Sequence, residues 1–448
     1  MKLEDVPFSH YGLTSCTPSP VNRMMASFAA EFRQDTDINL GVGYVNERTI
    51  PRTLIVEAMD AVLNNPAKYK AALNYGGPRG SANLVASLKR FLVENNIGAL
   101  TEEILAQKEI IIGPSGATSL LDGIAQVVKP GIVITHDPMY YIYCNYLERM
   151  GFEVVTVPED HDGMIIERVA EKLKKLGPRK KDVRFFYAVT VNNPTGTIIA
   201  NDRVRQLIHT ARGLSVQQQR KVPVILDSAY ADLVHDETVE PFTSGLACDD
   251  AGLVYELGTL SKILSPALRV GYMMGSDGPF MRAMIQKTSD VGFSAPLITQ
   301  EIASYLLDHH VKGQINRVKA GYRDKARTIR QWIEGQLGEY LDDYTGGKAG
   351  FYFYLTFKDI HTTEQSPFFN YLARTTGDPD IDGPENNKKP RVIYVPGQFC
   401  VHPRGELVET GKRQLRLSYG FEETERIERA IMVMREAAAY AHTTTGKN

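Results

Sequence analysis

A lysine lies within a run of residues that carry hydroxyl and guanidinium groups. Lys262 follows Thr259 and Ser261, and Arg269 comes later in the same segment, residues 258–272. Lysine is strongly hydrated, so it is rarely placed in an apolar stretch unless it is used. A desolvated amine can form a Schiff base with a carbonyl cofactor, and the hydroxyls and guanidinium suit a phosphate on that cofactor. For a Ser-Lys pair alone, the alternative is a solvated charge in a loop.

Further candidate residues follow short apolar runs that are typical of buried strands. Residues 115–117 come after the run at 109–112 and open a helix, where free amides and small hydroxyls can bind an anion. Asp227 ends another such run. Ser115 and Asp227 could instead be helix caps. Because ligands of parallel sheets bind beyond the carboxyl ends of the strands, these positions predict one shared site.

Taken together, these segments resemble the class I/II aminotransferases that depend on pyridoxal 5'-phosphate (PLP), fold type I of the aspartate aminotransferase superfamily. The matching segments are residues 38–44, 74–80, 112–122, 136–141, 191–196, 227–230, 258–272 and 414–420. They occur in the family's order and cover most of the chain. Thr259 departs from the serine that many members have, although the hydroxyl is kept.

The resemblance implies roles around the cofactor. Lys262 would form a Schiff base with PLP and move the substrate's α-proton, and Asp227 would keep the pyridine nitrogen protonated. Asn193 and Tyr230 would donate hydrogen bonds to the phenolic oxygen. Tyr140 would stack on the cofactor ring, with Tyr141 as its substitute. The residues implied for the phosphate are Ser115, Gly116, Ala117, Thr259, Ser261 and Arg269.

The resemblance also implies a substrate site and a partner. Arg416 would bind the α-carboxylate, because a planar guanidinium matches a carboxylate with two hydrogen bonds. Gly43, Tyr44 and Asn193 would lie near the same substrate. Tyr75 matches a tyrosine that reaches the phosphate in the neighbouring subunit, which implies a homodimer with shared active sites. The substrates would be an L-amino acid and a 2-oxo acid, and no metal is expected.

The sequence does not determine which amino acid donates the amino group. Relatives specific for dicarboxylates carry an arginine just before a segment like residues 292–296, where this chain has Asp290. In the pocket, Asp290 would repel a second carboxylate and favour a cationic side chain. The preferred interpretation is that Asp290 is a solvated charge at a helix end. It would then neither repel a second carboxylate nor favour a cationic side chain. Tyr44, Tyr140 and Tyr141 are compatible with a substrate that has an aromatic or amphipathic side chain.

Apolar, β-branched runs alternate with helical stretches through the middle of the chain. This alternation predicts an α/β fold with a mostly parallel central sheet covered by helices, beside a smaller α+β domain. The predicted divisions are an N-terminal segment of the small domain (1–60), a large PLP-binding domain (61–315) and a C-terminal small domain (316–448). The predicted elements are strands at 109–112, 131–135, 153–157, 184–189, 223–227 and 350–355, a long charged helix over about 299–337, and a polar surface insertion near 376–390.

Composition excludes several classes of protein. Of the 448 residues, 43% are apolar and 23% are charged, which is ordinary for a globular protein, and the formal net charge of -2 predicts no nucleic-acid or membrane surface. The four cysteines are scattered without metal-ligand spacing, and no apolar run reaches membrane length. We therefore expect a cytoplasmic protein that binds neither nucleic acid nor a membrane.

Two alternatives remain beside an aminotransferase. A lyase, an aminocyclopropane-forming synthase or a PLP-dependent oxidase would keep Lys262, Asp227, Asn193 and Arg416, since the cofactor supplies the chemistry. A PLP-binding regulator of transcription usually carries a basic DNA-binding domain ahead of this fold. Only about forty residues precede the motifs here, and they contain no basic patch. The products of the reaction would separate the first alternative from transamination.

Overall fold

The computed structural model describes residues 6–445, which form an α/β fold around one large sheet. The strands are β1 (Ile38–Asn39), β2 (Glu109–Ile112), β3 (Ile132–Asp137), β4 (Glu153–Asp160), β5 (Gly163–Met164), β6 (Val183–Val189), β7 (Val224–Asp227), β8 (Val254–Thr259), β9 (Gly271–Gly275), β10 (Leu341–Gly346), β11 (Tyr352–Phe357), β12 (Val392–Ile393), β13 (Val395–Pro396) and β14 (Gln414–Ser418). The helices are α1 (His10–Ser15), α2 (Pro20–Ala30), α3 (Arg52–Leu63), α4 (Ala82–Glu94), α5 (Glu102–Ala106), α6 (Gly116–Val127), α7 (Tyr141–Arg149), α8 (Ile166–Leu176), α9 (Asn201–Gln218), α10 (Pro279–Gly292), α11 (Leu297–His309), α12 (Val311–Trp332), α13 (Pro367–Ala373), α14 (Pro379–Asp382), α15 (Val408–Gly411) and α16 (Thr424–Thr445).

The large sheet has the strand order β2-β9-β8-β7-β6-β3-β4-β5 in the described part of the chain. Its central strands, from β8 through β7, β6 and β3 to β4, are parallel. β9 runs antiparallel to both β2 and β8, and β5 runs antiparallel to β4. The predicted α/β fold with a mostly parallel sheet is confirmed, and each of the five strands predicted between 109 and 227 is present.

Alternating side chains of these strands pack on opposite faces of the sheet. In β2, Ile110 and Ile112 join one apolar cluster and Ile111 joins the other. Helices α4, α8, α9 and α11 bury their apolar side chains in the first cluster, and α6, α7 and α10 bury theirs in the second. Covering both faces explains why the strands are almost continuously apolar.

A smaller antiparallel sheet, in the order β10-β11-β14-β13, lies in the C-terminal part of the described chain. β1 pairs in parallel with β12, so an N-terminal strand and a C-terminal strand form one short sheet. The contribution of the N-terminal segment to a small domain stays a prediction. The divisions at residues 60 and 315, which fall within α3 and α12, stay predictions.

Two predicted elements differ in the structure. The helix expected over about 299–337 is divided into α11, α12 and a π-helical turn at Ile333–Leu337. His310, between α11 and α12, leaves helical geometry, and its ring forms a hydrogen bond of 2.9 Å with Glu57 of α3. The strand expected from Gly350 begins at Tyr352, since Gly350 adopts a positive φ of 60° in the preceding turn. Among the described residues, no helix is long and apolar enough to cross a membrane.

One carboxylate is buried in the large sheet. Glu256 of β8 is 4% exposed, and its Oε2 and Oε1 accept hydrogen bonds from the hydroxyls of Ser244 at 2.6 Å and Ser228 at 3.1 Å. Burial raises the pKa of Glu256 to about 7, against the opposing effect of these donors. The folded protein therefore holds this proton more tightly than the unfolded chain does. The corresponding stability is full below about pH 4.5 and is lost as the pH rises toward 7.

We expect Glu256→Gln to be more stable than wild type by an amount that grows with pH, because glutamine resembles the neutral acid. The gain should be larger near pH 8 than near pH 5 by about 2 kcal/mol. Urea unfolding of both proteins at the two pH values measures it. Glu409→Gln, at an exposed glutamate, is the matched control and should show no such dependence on pH. A gain for Glu256→Gln that does not grow with pH would contradict the expectation.

Candidate active site

The ends of the parallel strands open onto a cavity of about 150 Å³. Asp227 ends β7 and Thr259 ends β8, and the loop after β8 carries Lys262. The N-terminus of α6 forms another wall. The predicted site residues that line the cavity are Ala117, Tyr140, Asn193, Asp227, Tyr230, Thr259, Ser261, Lys262 and Arg269.

The Lys262 amine lies between aromatic rings. Its Nζ donates to the carbonyl of Gly43 at 3.3 Å and lies 5.1 Å from the ring centroid of Tyr230. Burial, together with the nearby charges of Arg269 and Arg416, lowers the pKa of Lys262 to about 8, and the charge of Asp227 opposes this shift. The amine is therefore much more easily deprotonated than an ordinary lysine, as a nucleophile or base must be.

Asp227 is held by two donors. The hydroxyl of Tyr187 donates to Oδ2 at 2.9 Å, and the amide of Ala229 donates to Oδ1 at 3.2 Å. The residue is 5% exposed. Burial raises the pKa of this carboxyl, and the two donors and Lys262 counteract the rise. A carboxylate in this position is a strong partner for a cation that enters the cavity.

Arg416 fixes the orientation of Asn193. Its Nη1 donates to Asn193 Oδ1 at 2.7 Å, and its Nη2 donates to the carbonyl of Gly41. Because Oδ1 is taken, the hydrogen-bond network assigns Nδ2 of Asn193 as the free donor. Arg416 is 2% exposed, and its Nε has no hydrogen-bond partner among the described residues.

Tyr230, which lines the cavity, and Tyr352 form a connection between the cavity and Arg416. Their hydroxyls lie 2.8 Å apart, and the guanidinium of Arg416 lies 4.8 Å from the ring centroid of Tyr352. Burial raises the pKa of Tyr230 well above its usual value, so its hydroxyl stays protonated and able to donate. A Cβ atom at Gly43 would come 2.7 Å from the Tyr352 hydroxyl, so the chain needs glycine there.

The other end of the cavity suits an anion. Arg269 Nη2 donates to the carbonyl of Ser115 at 2.9 Å, and the Ser115 side chain makes no capping hydrogen bond to α6. Gly116 has a φ of 68°, and a Cβ there would lie 2.8 Å from Arg269 Nη2. Ser261 and Thr259 share a hydrogen bond of 2.9 Å nearby. A helix N-terminus with a guanidinium and small hydroxyls is a phosphate-binding arrangement.

Eight candidates fall outside the lining of this cavity. Ser115, Gly116, Gly43 and Arg416 contact lining residues or their neighbours as described above, whereas Tyr141, Tyr44, Tyr75 and Asp290 lie elsewhere. Tyr141 is buried beside Arg416, so Tyr140 is the tyrosine that faces the cavity. Tyr44 and Tyr75 are 63% and 78% exposed. Asp290 is exposed and accepts a hydrogen bond from Gln286 of its own helix at 2.7 Å. The structure therefore does not place Asp290 in the wall of the cavity.

A larger open groove of about 690 Å³ lies beside residues 196–201 and β10. Its acidic and basic lining residues are His161, Asp162, Glu240, Arg330, Glu334, Asp343 and Lys348. Their signs are mixed, and the lining contains none of the predicted site residues. Size alone would favour this groove as the active site, but the chemistry of the side chains favours the smaller cavity as the active site.

Comparison with known families decides the identity of the chain. Residues 36–370 match the family described as aminotransferase class I and II, which is most of the chain. The chain belongs to this family. It is an aminotransferase of fold type I that depends on PLP.

The relatives of this aminotransferase include enzymes and a regulator. It is 26% identical over 408 residues to aromatic-amino-acid aminotransferase 1 of Thermococcus litoralis, a match that covers 89% of this chain and 87% of the relative. It is 25% identical to the uncharacterized HTH-type transcriptional regulator YisV of Bacillus subtilis, covering 71% of this chain but only 62% of the regulator. The multiple substrate aminotransferase from Thermococcus profundus has the same fold, with a TM-score of 0.81, 22% identity and 98% of both chains covered.

The donor set of the cavity fits PLP. Ser115, Arg269 and the N-terminus of α6 offer hydrogen-bond donors for the phosphate. The buried carboxylate of Asp227 suits a protonated ring nitrogen, and Lys262 offers an amine to the aldehyde carbon. Each chemical feature of the cofactor therefore has a partner among the residues of the site.

Sequence reasoning missed several residues of the site. Tyr187 and Tyr352, which bond Asp227 and Tyr230, were not singled out, although both lie in predicted strands. Alternation along those strands was an available signal, since side chains of one parity point to one face. The other cavity-lining residues that were not predicted are Thr118, Leu121, Val189, Ala229 and Pro266.

Proposed function

We propose that Lys262 is the amine to which this aminotransferase binds PLP, and that it moves the proton when an amino group passes between an L-amino acid and a 2-oxo acid. One observation carries the proposal. The Lys262 amine, with its pKa lowered to about 8, opens onto the same cavity as Asp227 and Arg269. An amine of this kind is available unprotonated near neutral pH, unlike an ordinary lysine.

The other residues of the cavity would divide the remaining work. PLP, when bound, supplies an electron sink for the electrons of the broken Cα–H bond. Asp227 would hold a proton on the ring nitrogen through its negative charge. The free amine of Lys262 would accept the proton from the substrate's α-carbon and then return it as a general acid. Tyr230 and the Nδ2 of Asn193 would donate to the phenolic oxygen.

Arg416 would bind the substrate's α-carboxylate. A guanidinium has five N–H donors, and the bonds to Asn193 and Gly41 leave several of them for a ligand. A carboxylate held at this point would orient the α-C–H bond toward Lys262, which is a gain from proximity. Because the same arginine fixes Asn193, substrate and cofactor contacts would share one rigid group.

We propose an aromatic amino acid as the donor. Tyrosine rings surround the carboxylate site, since Arg416 lies against Tyr352 and beside Tyr141. Among the residues that line the described cavity, the basic side chains are Lys262 and Arg269, which lies at the phosphate end, so this lining offers no further cation for a second carboxylate. The relative from Thermococcus litoralis is named for aromatic amino acids, which also supports this class.

We also propose a cytoplasmic homodimer in which Tyr75 reaches the phosphate in the partner's site. Tyr75 lies outside the cavity of its own chain and is 78% exposed, with its ring 5.6 Å from that of the exposed Phe293. These two rings form an apolar surface that a second copy would cover. The family resemblance supports the same arrangement.

The visible absorption of the protein loaded with PLP tests the proposed reaction. Tyrosine, arginine, alanine, glutamate and methionine are added one at a time, and the products are identified. We expect tyrosine to convert the cofactor to its pyridoxamine form and to yield its 2-oxo acid. Ammonia, an alkene or peroxide as the product would contradict amino-group transfer. A faster reaction with arginine than with tyrosine would contradict the proposed aromatic donor but not the proposed amino-group transfer.

A further inference from the structure

Tyr352 occupies the point where three parts of the site meet. It is 1% exposed on β11, next to β14, the strand that carries Arg416. Its hydroxyl lies 2.8 Å from that of Tyr230, and its ring packs under the guanidinium of Arg416 at 4.8 Å. The same hydroxyl faces Gly43, whose carbonyl accepts from Lys262. The proposed function gives the hydroxyl of Tyr352 no role.

We propose that Tyr352 is a positioning residue that donates its hydroxyl proton to Tyr230 and thereby aims the Tyr230 proton at the phenolic oxygen of the cofactor. This role rests on the proposed function of Lys262 and Tyr230. The ring of Tyr352 has a separate task, which is to support the guanidinium that binds the α-carboxylate.

The direction of the hydrogen bond follows from counting protons. Each tyrosine has one hydroxyl proton, and only one proton can lie between the two oxygens. If Tyr230 gives its proton to the cofactor, it must accept from Tyr352. A donor that itself accepts a hydrogen bond is polarised and donates more strongly, because hydrogen bonds in a chain reinforce one another.

The consequence is an effect on the nitrogen that joins Lys262 to the cofactor. A strong donor at the phenolic oxygen favours the anionic oxygen and so disfavours the proton shared with that nitrogen. Weakening the donor should raise the pKa of this nitrogen. The charged groups that act on Lys262 are Arg269, Arg416 and Asp227, and all of them stay in place when Tyr352 becomes phenylalanine.

The test is a pH titration of the visible absorption of the PLP-loaded protein. Tyr352→Phe should raise the apparent pKa by roughly 0.5, which corresponds to part of one hydrogen bond. Tyr230→Phe should raise it further, and adding Tyr352→Phe to that variant should change nothing more. Tyr394→Phe removes an equally buried hydroxyl, which donates to the carbonyl of Thr362, and should leave the titration at its wild-type position.

A second comparison separates the hydroxyl from the ring. Tyr352→Phe keeps the ring under Arg416, so KM for the amino acid should stay near wild type while kcat falls. Tyr352→Leu removes the ring and should raise KM severalfold as well. Equal titrations for wild type and Tyr352→Phe, or additive effects of the two substitutions, would overturn the positioning role alone. A wild-type protein that shows no titrating band with PLP would overturn the proposed function of Lys262 together with it.

Discussion

Replacing Lys262 with alanine is expected to lower kcat/KM for amino-group transfer by at least about 10⁴-fold. The variant would lose the amine that binds the cofactor covalently and also the base that takes the α-proton, and neither neighbouring hydroxyl can replace an amine. Steady-state rates measure the loss of activity. Reduction of the PLP-loaded wild type with borohydride, followed by mass analysis of its peptides, shows which lysine carries the cofactor.

Lys325→Ala is the matched control for this experiment. Burial lowers the pKa of Lys325 to about 8 as well, but its Nζ donates to the carbonyl of Glu422 and does not line the cavity. This variant should bind PLP and turn over near the wild-type rate. The cofactor trapped on a lysine other than Lys262, or a Lys262→Ala protein with wild-type absorption and rate, would overturn the assignment.

The second large effect is expected for Asp227→Asn, which should lower kcat by about 10³-fold. The amide cannot stabilise a positive ring nitrogen as a carboxylate does. The Tyr187 hydroxyl and the Ala229 amide both donate to the carboxylate, and the asparagine would place its NH₂ group against one of these two donors. Single-turnover rates with an amino acid in excess isolate this half of the reaction from the release of products.

Asp232→Asn is a matched substitution at a second buried aspartate. Burial raises the pKa of Asp232 to about 6, yet this residue lies outside the lining of the cofactor cavity. We expect this variant to keep kcat near wild type, so that loss of a buried carboxylate as such is excluded as the cause. An Asp227→Asn protein that retains kcat within about tenfold of wild type would contradict the electrostatic role, since an interaction of that kind is worth more.

Local patterns in the sequence predicted the sheet and most of the cavity. Short apolar runs define strands because both faces of a parallel sheet are buried, so the runs at 109–112 and 184–189 could be assigned without a partner. Asp227 and Thr259 then fall at strand ends, and the Gly-rich turn before α6 falls beside them, because the loop and the strand that precedes it are contiguous in the chain. The resemblance of motifs added the identity of the cofactor.

Tertiary structure alone decided which side chains bond to one another. Tyr352 meets Tyr230, Arg416 meets Asn193, and Tyr187 meets Asp227 across long stretches of chain, which no local periodicity encodes. The break between α11 and α12 at His310 likewise coincides with a contact to Glu57 of another helix. Backbone propensity is a local property, whereas the pKa of Lys262 and the direction of the amide of Asn193 are set by burial and by partners brought from elsewhere in the fold.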